Sequence, residues 1–152
     1  MKIKLLFFRF FSILIGTLIF IIAAEVALRF LPVTESFRSM PVDAPNPIFR
    51  CEPNQTVRWS AFWNFSMRNI VRINNYGFAS DIDYDAGNRS PLLALVGDSF
   101  MEALTVPWPQ SGAGRLHRAF PDCVRVYTFA KSGAPMSQYL IYSEYAKQTF
   151  HP

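Results

Sequence analysis

The first apolar run sets the plan of the chain. Leu5 to Leu28 reads LLFFRFFSILIGTLIFIIAAEVAL, and Phe10 to Ala24 carries no charge. About 20 such residues at 1.5 Å each cross a ~30 Å hydrocarbon layer, so a membrane-spanning helix is predicted through residues 5–28. The pattern then breaks. Pro32, Pro41, Pro45, Pro47 and Pro53 deny residues 32–53 a helix and favour extended backbone, which reads as a stalk. Next, WSAFWNFSMRNIVRINNYGF brings the aromatic cluster Trp59, Phe62, Trp63 and Phe65, then strand-like Ile70 to Ile73 and a turn at Asn74-Asn75-Tyr76-Gly77. The aromatics suit packing on the following domain better than sugar faces or the bilayer surface. Asp81 to Ser90 is polar and turn-rich, and is expected as a loop.

From Pro91 the pattern changes again. Leu92-Leu93-Ala94-Leu95-Val96 is continuously apolar and ends in Gly97, as a strand buried on both faces does. A helix-compatible stretch follows from Ser99. It is interrupted by Pro107-Trp108-Pro109 and resumes through Ala113, Leu116 and Ala119 to Phe120. Val124 to Phe129 is a second strand and Ser137 to Phe150 a second helix, with Tyr139, Leu140, Tyr142 and Ala146 available for one face. Strand, helix, strand, helix opens a doubly wound α/β domain with a parallel sheet. Two parallel strands leave apolar faces uncovered, so the sheet is expected to be incomplete, with poorly cooperative folding unless the preceding aromatics complete its core. The division expected is 1–29 as signal anchor, 30–69 as proline-rich stalk and aromatic segment, and 70–152 as the front part of the α/β domain.

Composition and charge sharpen this. Apolar residues make up 51% and charged residues 17% of the 152, which excludes a chain disordered throughout. Of the net charge of +4, Lys2, Lys4, Arg9 and Arg29 against Glu25 place +3 in residues 1–29, leaving +1 for the rest. A nearly neutral remainder has no basic stripe for phosphates, so nucleic acid is not an expected partner. Instead, Lys2, Lys4 and Arg9 precede the charge-free run, which puts the N-terminus in the cytoplasm and everything after Arg29 outside. The run is longer than a signal-peptide core and Ile22 occupies the −3 position before Ala24, so an uncleaved anchor is favoured over a cleaved signal. Outside the cytoplasm a disulfide between Cys51 and Cys123 is permitted, and burial of two separate thiols is the plainer expectation.

Gly97-Asp98-Ser99-Phe100 stands at the carboxyl end of the first strand, where open α/β sheets hold their sites. Glycine permits a sharp turn, and a serine at a helix start presents both its hydroxyl and an unused N–H to a substrate oxygen. Alone, the triplet also suits a helix cap. It is not the nucleophile elbow, which needs glycine where Met101 stands. No phosphate loop is present, and no His/Cys cluster has metal-ligand spacing, so no cofactor and no metal are expected.

LLALVGDSFMEALTVPWPQ at 92–110 resembles the first block of the SGNH (GDSL-like) hydrolase superfamily, in particular its bacterial membrane-anchored members. VYTFAKSGAPMSQYL at 126–140 is similar to the second block, and Asn74-Asn75-Tyr76-Gly77-Phe78 to the Asn-x-x-Gly-Phe element that precedes the domain in anchored members. The resemblance implies a flavodoxin-like (SGNH) doubly wound sheet. It also implies Ser99 as acyl-accepting nucleophile, the N–H groups of Ser99 and Gly133 as oxyanion donors, and Gly97 and Asp98 as holders of the turn.

The family's third-block Gly-x-Asn and closing Asp-x-x-His have no counterpart here. Of the two histidines, Gly114 stands three before His117 and Gln148 three before His151. Both are expected to be solvated and away from the strand ends. The chain is therefore expected to be a fragment holding half a site and inactive as it stands. The function implied is a serine esterase or acyltransferase in the bacterial inner membrane, single-pass, with its C-terminal part periplasmic or extracellular. Acylated envelope glycans or small esters would be its substrates. The rival reading is a non-catalytic membrane-tethered module for binding or assembly.

Overall fold

The computed structural model describes residues 2–121 and 124–152. It comprises two compact units, Met1–Val33 and Thr34–Pro152. The first is α1 (Lys2–Phe30), whose side chains from Lys4 on are exposed all round apart from a half-buried Ala24. Its 29 residues extend about 43 Å, long and apolar enough to cross a membrane. Near the far end, Arg29 Nε meets Glu25 Oε1 at 2.9 Å one turn back.

The second unit is mixed α/β with two small sheets. β1 (Gln55–Ala61) and β2 (Met67–Ile73) form an antiparallel hairpin, Val57 opposite Val71 and Ala61 opposite Met67. Only the last part of β2 was expected as a strand. Yet Val57, Trp59 and Ala61 alternate with Thr56, Arg58 and Ser60, the period of a half-buried strand, and Val57 and Val71 pack with Cys51, Ile73, Ala79 and Leu104. Trp59 joins that core. Phe62 and Trp63 do not: they are 64% and 91% exposed, which corrects the expectation that the aromatic cluster packs on the domain.

β3 (Leu92–Gly97) and β4 (Arg125–Ala130) pair in parallel, from Leu92 opposite Arg125 to Gly97 opposite Ala130. Between them lie α2 (Ser99–Glu102), a 3₁₀ turn at Trp108–Gln110 and α3 (Gly112–Ala119); α4 (Met136–Phe150) follows β4. The helix expected from Ser99 toward Pro107 stops after one turn. Ala103 takes a left-handed conformation at φ 54 and gives its N–H to Ser99 O, ending α2 before the prolines are reached.

The bare strand faces expected of a two-stranded sheet persist in part on β3, where Leu93 is 38% exposed and Ala94, Leu95 and Val96 are half-buried, so β3 is not covered on both faces as its apolar run suggested. β4 is buried along its whole length. Tyr127 and Phe129 meet Tyr142, Ala146 and Phe150 of α4, and the chain before β3 contributes Ile48, Phe78 and Tyr84 to the same core. Each large side chain taken from water there contributes roughly 1.5–3 kcal/mol. Asn74, fully buried, organises the turn that aims Phe78 inward, its Oδ1 accepting from the N–H groups of Tyr76 at 2.9 Å and Phe78 at 3.1 Å. The proline-rich stretch lies within this unit rather than apart as a stalk. Cys51 N–H donates to Gly77 O at 3.0 Å, and the Gln138 amide donates to Pro47 O at 2.8 Å. Cys51 is fully buried, and the bridge weighed between it and Cys123 involves a residue outside those described.

Tyr84, from the segment expected as a plain loop, has a further part. Its hydroxyl donates to Thr128 O and accepts from Thr128 N–H, both at 2.8 Å, and so satisfies a pair of β4 backbone groups that β3 does not reach. Tyr84→Phe should therefore cost about 1–3 kcal/mol by leaving those groups unpaired while keeping the ring. Denaturant unfolding of the detergent-solubilised chain measures it; a change under ~0.5 kcal/mol would show that the β4 edge does not depend on this hydroxyl.

Candidate active site

The parallel register brings the two resembling blocks together. Because Gly97 is level with Ala130, Asp98-Ser99 and Lys131-Ser132-Gly133 leave neighbouring strands at the same end of the sheet. Strands in register lie about 4.8 Å apart, so the two turns begin side by side.

Each turn has its own local cause. Gly97 is buried, and a Cβ there would lie 2.3 Å from Met101 Cγ and 2.8 Å from Met101 Cβ, so the close return of α2 requires glycine. Asp98 caps α2: its Oδ1 accepts from Phe100 N–H at 3.0 Å, and its carbonyl takes the N–H groups of Met101 and Glu102. That Phe100 N–H, followed by the Tyr139 hydroxyl of α4, holds the Asp98 carboxyl below its ordinary range. The same contact raises the Tyr139 phenol. Asp98 is thus engaged in the turn at the start of α2. Gly133 adopts φ +85 with open space where a Cβ would be, so backbone conformation rather than crowding calls for glycine.

Ser99 is exposed at the first position of α2. Among the described residues its hydroxyl and N–H have no hydrogen-bond partner, and neither has the Gly133 N–H. Next to Ser99, Phe100 is 89% exposed, and on α4 Met136 and Leu140 are 81% and 77% exposed.

A buried polar link between the two turns was not foreseen. Glu102 Oε2 accepts from Ser132 N–H at 2.6 Å and from the Ser132 hydroxyl, while Oε1 lies 3.9 Å from Lys131 Nζ. The Glu102 and Lys131 side chains are only 1% and 9% exposed. Lys131 Nζ also stands 4.9 Å from the centre of the Phe37 ring and 5.9 Å from that of Phe49. Burial pushes the nearby Cys51 thiol up, with the Lys131 ammonium opposing. The signal in the sequence was an acid and a base just past the ends of two adjacent strands.

The histidines stay away from Ser99. His117 is half-buried rather than solvated: its ring lies tilted at 55°, 5.6 Å from that of Trp108, and Nδ1 is buried with no partner among the described residues. It lines a groove with Ser90, Val124 and Arg125, at the amino ends of β3 and β4, the opposite end of the sheet from Ser99. His151 follows α4 and is exposed. Among the described residues no cluster of His, Cys, Asp and Glu could hold a metal ion. Comparison of the chain with family models, with curated proteins and with solved structures returned no match.

Glu102→Ala should cost about 3–5 kcal/mol, since it strands a buried ammonium and two donors from Ser132. Glu102→Gln combined with Lys131→Met, which removes both charges and keeps an acceptor, should recover most of that loss in unfolding midpoint. Equal destabilisation by the single and double variants would show that the pair does not act as a unit.

Proposed function

We propose that Ser99 is the acyl-accepting nucleophile of a membrane-anchored, extracytoplasmic serine esterase or acyltransferase of SGNH type, built on a flavodoxin-like sheet. The observation supporting this reading is the level ending of β3 and β4, which sets a serine hydroxyl beside two unused N–H groups, those of Ser99 and Gly133. In the reaction Ser99 Oγ bonds to an ester carbonyl carbon and gives up its proton, and the two N–H groups receive the developing oxyanion. Collapse breaks the carbon–oxygen bond to the alcohol, which leaves with a proton. Water or an acceptor hydroxyl then releases the acyl group from Ser99. Among the described residues neither histidine is placed to take the first proton. Exposed Phe100, Met136 and Leu140 suit the acyl portion of the substrate, with acylated envelope glycans or small esters as its class. The location proposed is the bacterial inner membrane, with α1 as the single span, the N-terminus cytoplasmic and the site outside.

The second reading, a non-catalytic tethered module for binding or assembly, draws on the absence of a base near Ser99 among the described residues. Imidazole supplied from solution separates the two. Without it, hydrolysis of p-nitrophenyl acetate by the wild-type chain should equal that of Ser99→Ala. A positioned general base is worth roughly 10²–10⁴-fold, and added imidazole should restore part of it, about tenfold over Ser99→Ala under the same conditions. Gly133→Val should slow that rescued turnover more than it raises KM. Equal rates for wild type and Ser99→Ala at every imidazole concentration would favour the non-catalytic module.

A further inference from the structure

The tip of the β1–β2 hairpin is apolar, exposed and unused by the proposed chemistry. Phe62 and Trp63 are 64% and 91% exposed; Met67 beside them and Ile70 on the outer face are 40% and 72% exposed. Phe62 and Phe65 sit at φ 66 and φ 51, a conformation bulky residues rarely take. Folding of the unit gains nothing from holding a tryptophan in water.

Covalent connection limits where this tip can be. α1 ends at Phe30, and Thr34 is tied to the hairpin: its hydroxyl donates to Ser60 O at 2.7 Å and accepts from Ser60 N–H at 2.9 Å. One residue on, Glu35 N–H donates to Arg58 O and the Glu35 carboxylate accepts from Arg58 N–H. Thr34 is only four residues on from Phe30, and it is bonded to Ser60 at the end of β1 that leads to the tip. From Ser60 to Trp63 is three residues more, about 11 Å at full extension. Charge agrees with this placement. Residues 53–80 contain Arg58, Arg68 and Arg72 and no Asp or Glu. Arg58 pairs with Glu35 and Arg72 with Asp83, while Arg68 makes no ion pair among the described residues.

We infer that the hairpin tip is a bilayer-contacting surface, with Phe62 and Trp63 seated at headgroup level and Arg68 facing anionic lipid phosphates. This rests on the reading of α1 as a membrane span. Tryptophan favours that depth because its ring is apolar and its N–H is polar, and a cation beside it is attracted to anionic headgroups. Such a contact would hold the folded unit against the membrane at two points, the anchor and the tip.

The test uses the full chain, labelled with 5-fluorotryptophan, in vesicles of phosphatidylcholine and phosphatidylglycerol. Three fluorine resonances are expected from the three tryptophans, that of Trp63 being the one lost in Trp63→Phe. A lipid nitroxide at headgroup depth should broaden the Trp63 resonance at least twofold more than those of Trp59 and Trp108, and Arg68→Glu should reduce that broadening. Flotation with the vesicles after an alkaline wash reports insertion of α1 separately. An inserted chain whose Trp63 is broadened by a water-soluble paramagnetic agent and not by the lipid nitroxide would overturn the inference and assign the tip to a soluble partner. A chain that washes off the vesicles would overturn the anchor reading, and this inference with it.

Discussion

The parallel pairing of β3 with β4 is the constraint on which the second unit depends. A pair of parallel strands has no hairpin to hold it and two edges to satisfy, so it persists only where the rest of the chain closes around it. Here β4 is enclosed by α4, by the aromatic side chains of Phe78 and Tyr84, and by the Tyr84 hydroxyl at Thr128. Because the segment before β3 does this work, the proline-rich stretch and the hairpin belong to the same folding unit as the strands they precede.

The same pairing sets the chemistry at the strand ends. With Gly97 level with Ala130, the Asp98-Ser99 and Lys131-Gly133 turns start together, and Glu102 joins them from beneath through Ser132 and Lys131. A buried ion pair of this kind offers little net stability against an apolar substitute, but it is strongly directional. It ties the first turn of α2 to the turn that presents Gly133. In the proposed reaction this would position the serine without supplying its proton acceptor.

Much of this arrangement was legible in the sequence, for physical reasons that can be named. The apolar run gave α1, the five apolar residues Leu92 to Val96 and the strand-like Val124 to Phe129 gave β3 and β4 to within one residue, and Gly97, Ser99 and Gly133 fell at strand ends. β1 carries a short period-two alternation whose end is blurred by the polar Ser60 and by Phe62 and Trp63 just beyond it. Tyr84 was hidden in a polar segment, since a lone hydroxyl meeting a strand edge 44 positions away leaves no local pattern. The early end of α2 depends on Ala103 in a left-handed conformation, which alanine does not advertise. His117 was expected in water but is sheltered by Trp108, a contact made across the 3₁₀ turn rather than along one helix.

The proposed site requires the N–H groups of Ser99 and Gly133 to face one crevice able to hold a tetrahedral oxyanion. Amide ¹H–¹⁵N shifts of the detergent-solubilised chain, followed while an alkylboronic acid is added, test it most directly, because boron takes a tetrahedral anionic form on a serine hydroxyl. The proposal predicts that the Ser99 and Gly133 amides move together along one saturation curve and that both responses vanish in Ser99→Ala. A Ser99 shift with Gly133 unmoved, or no response from either, would contradict it.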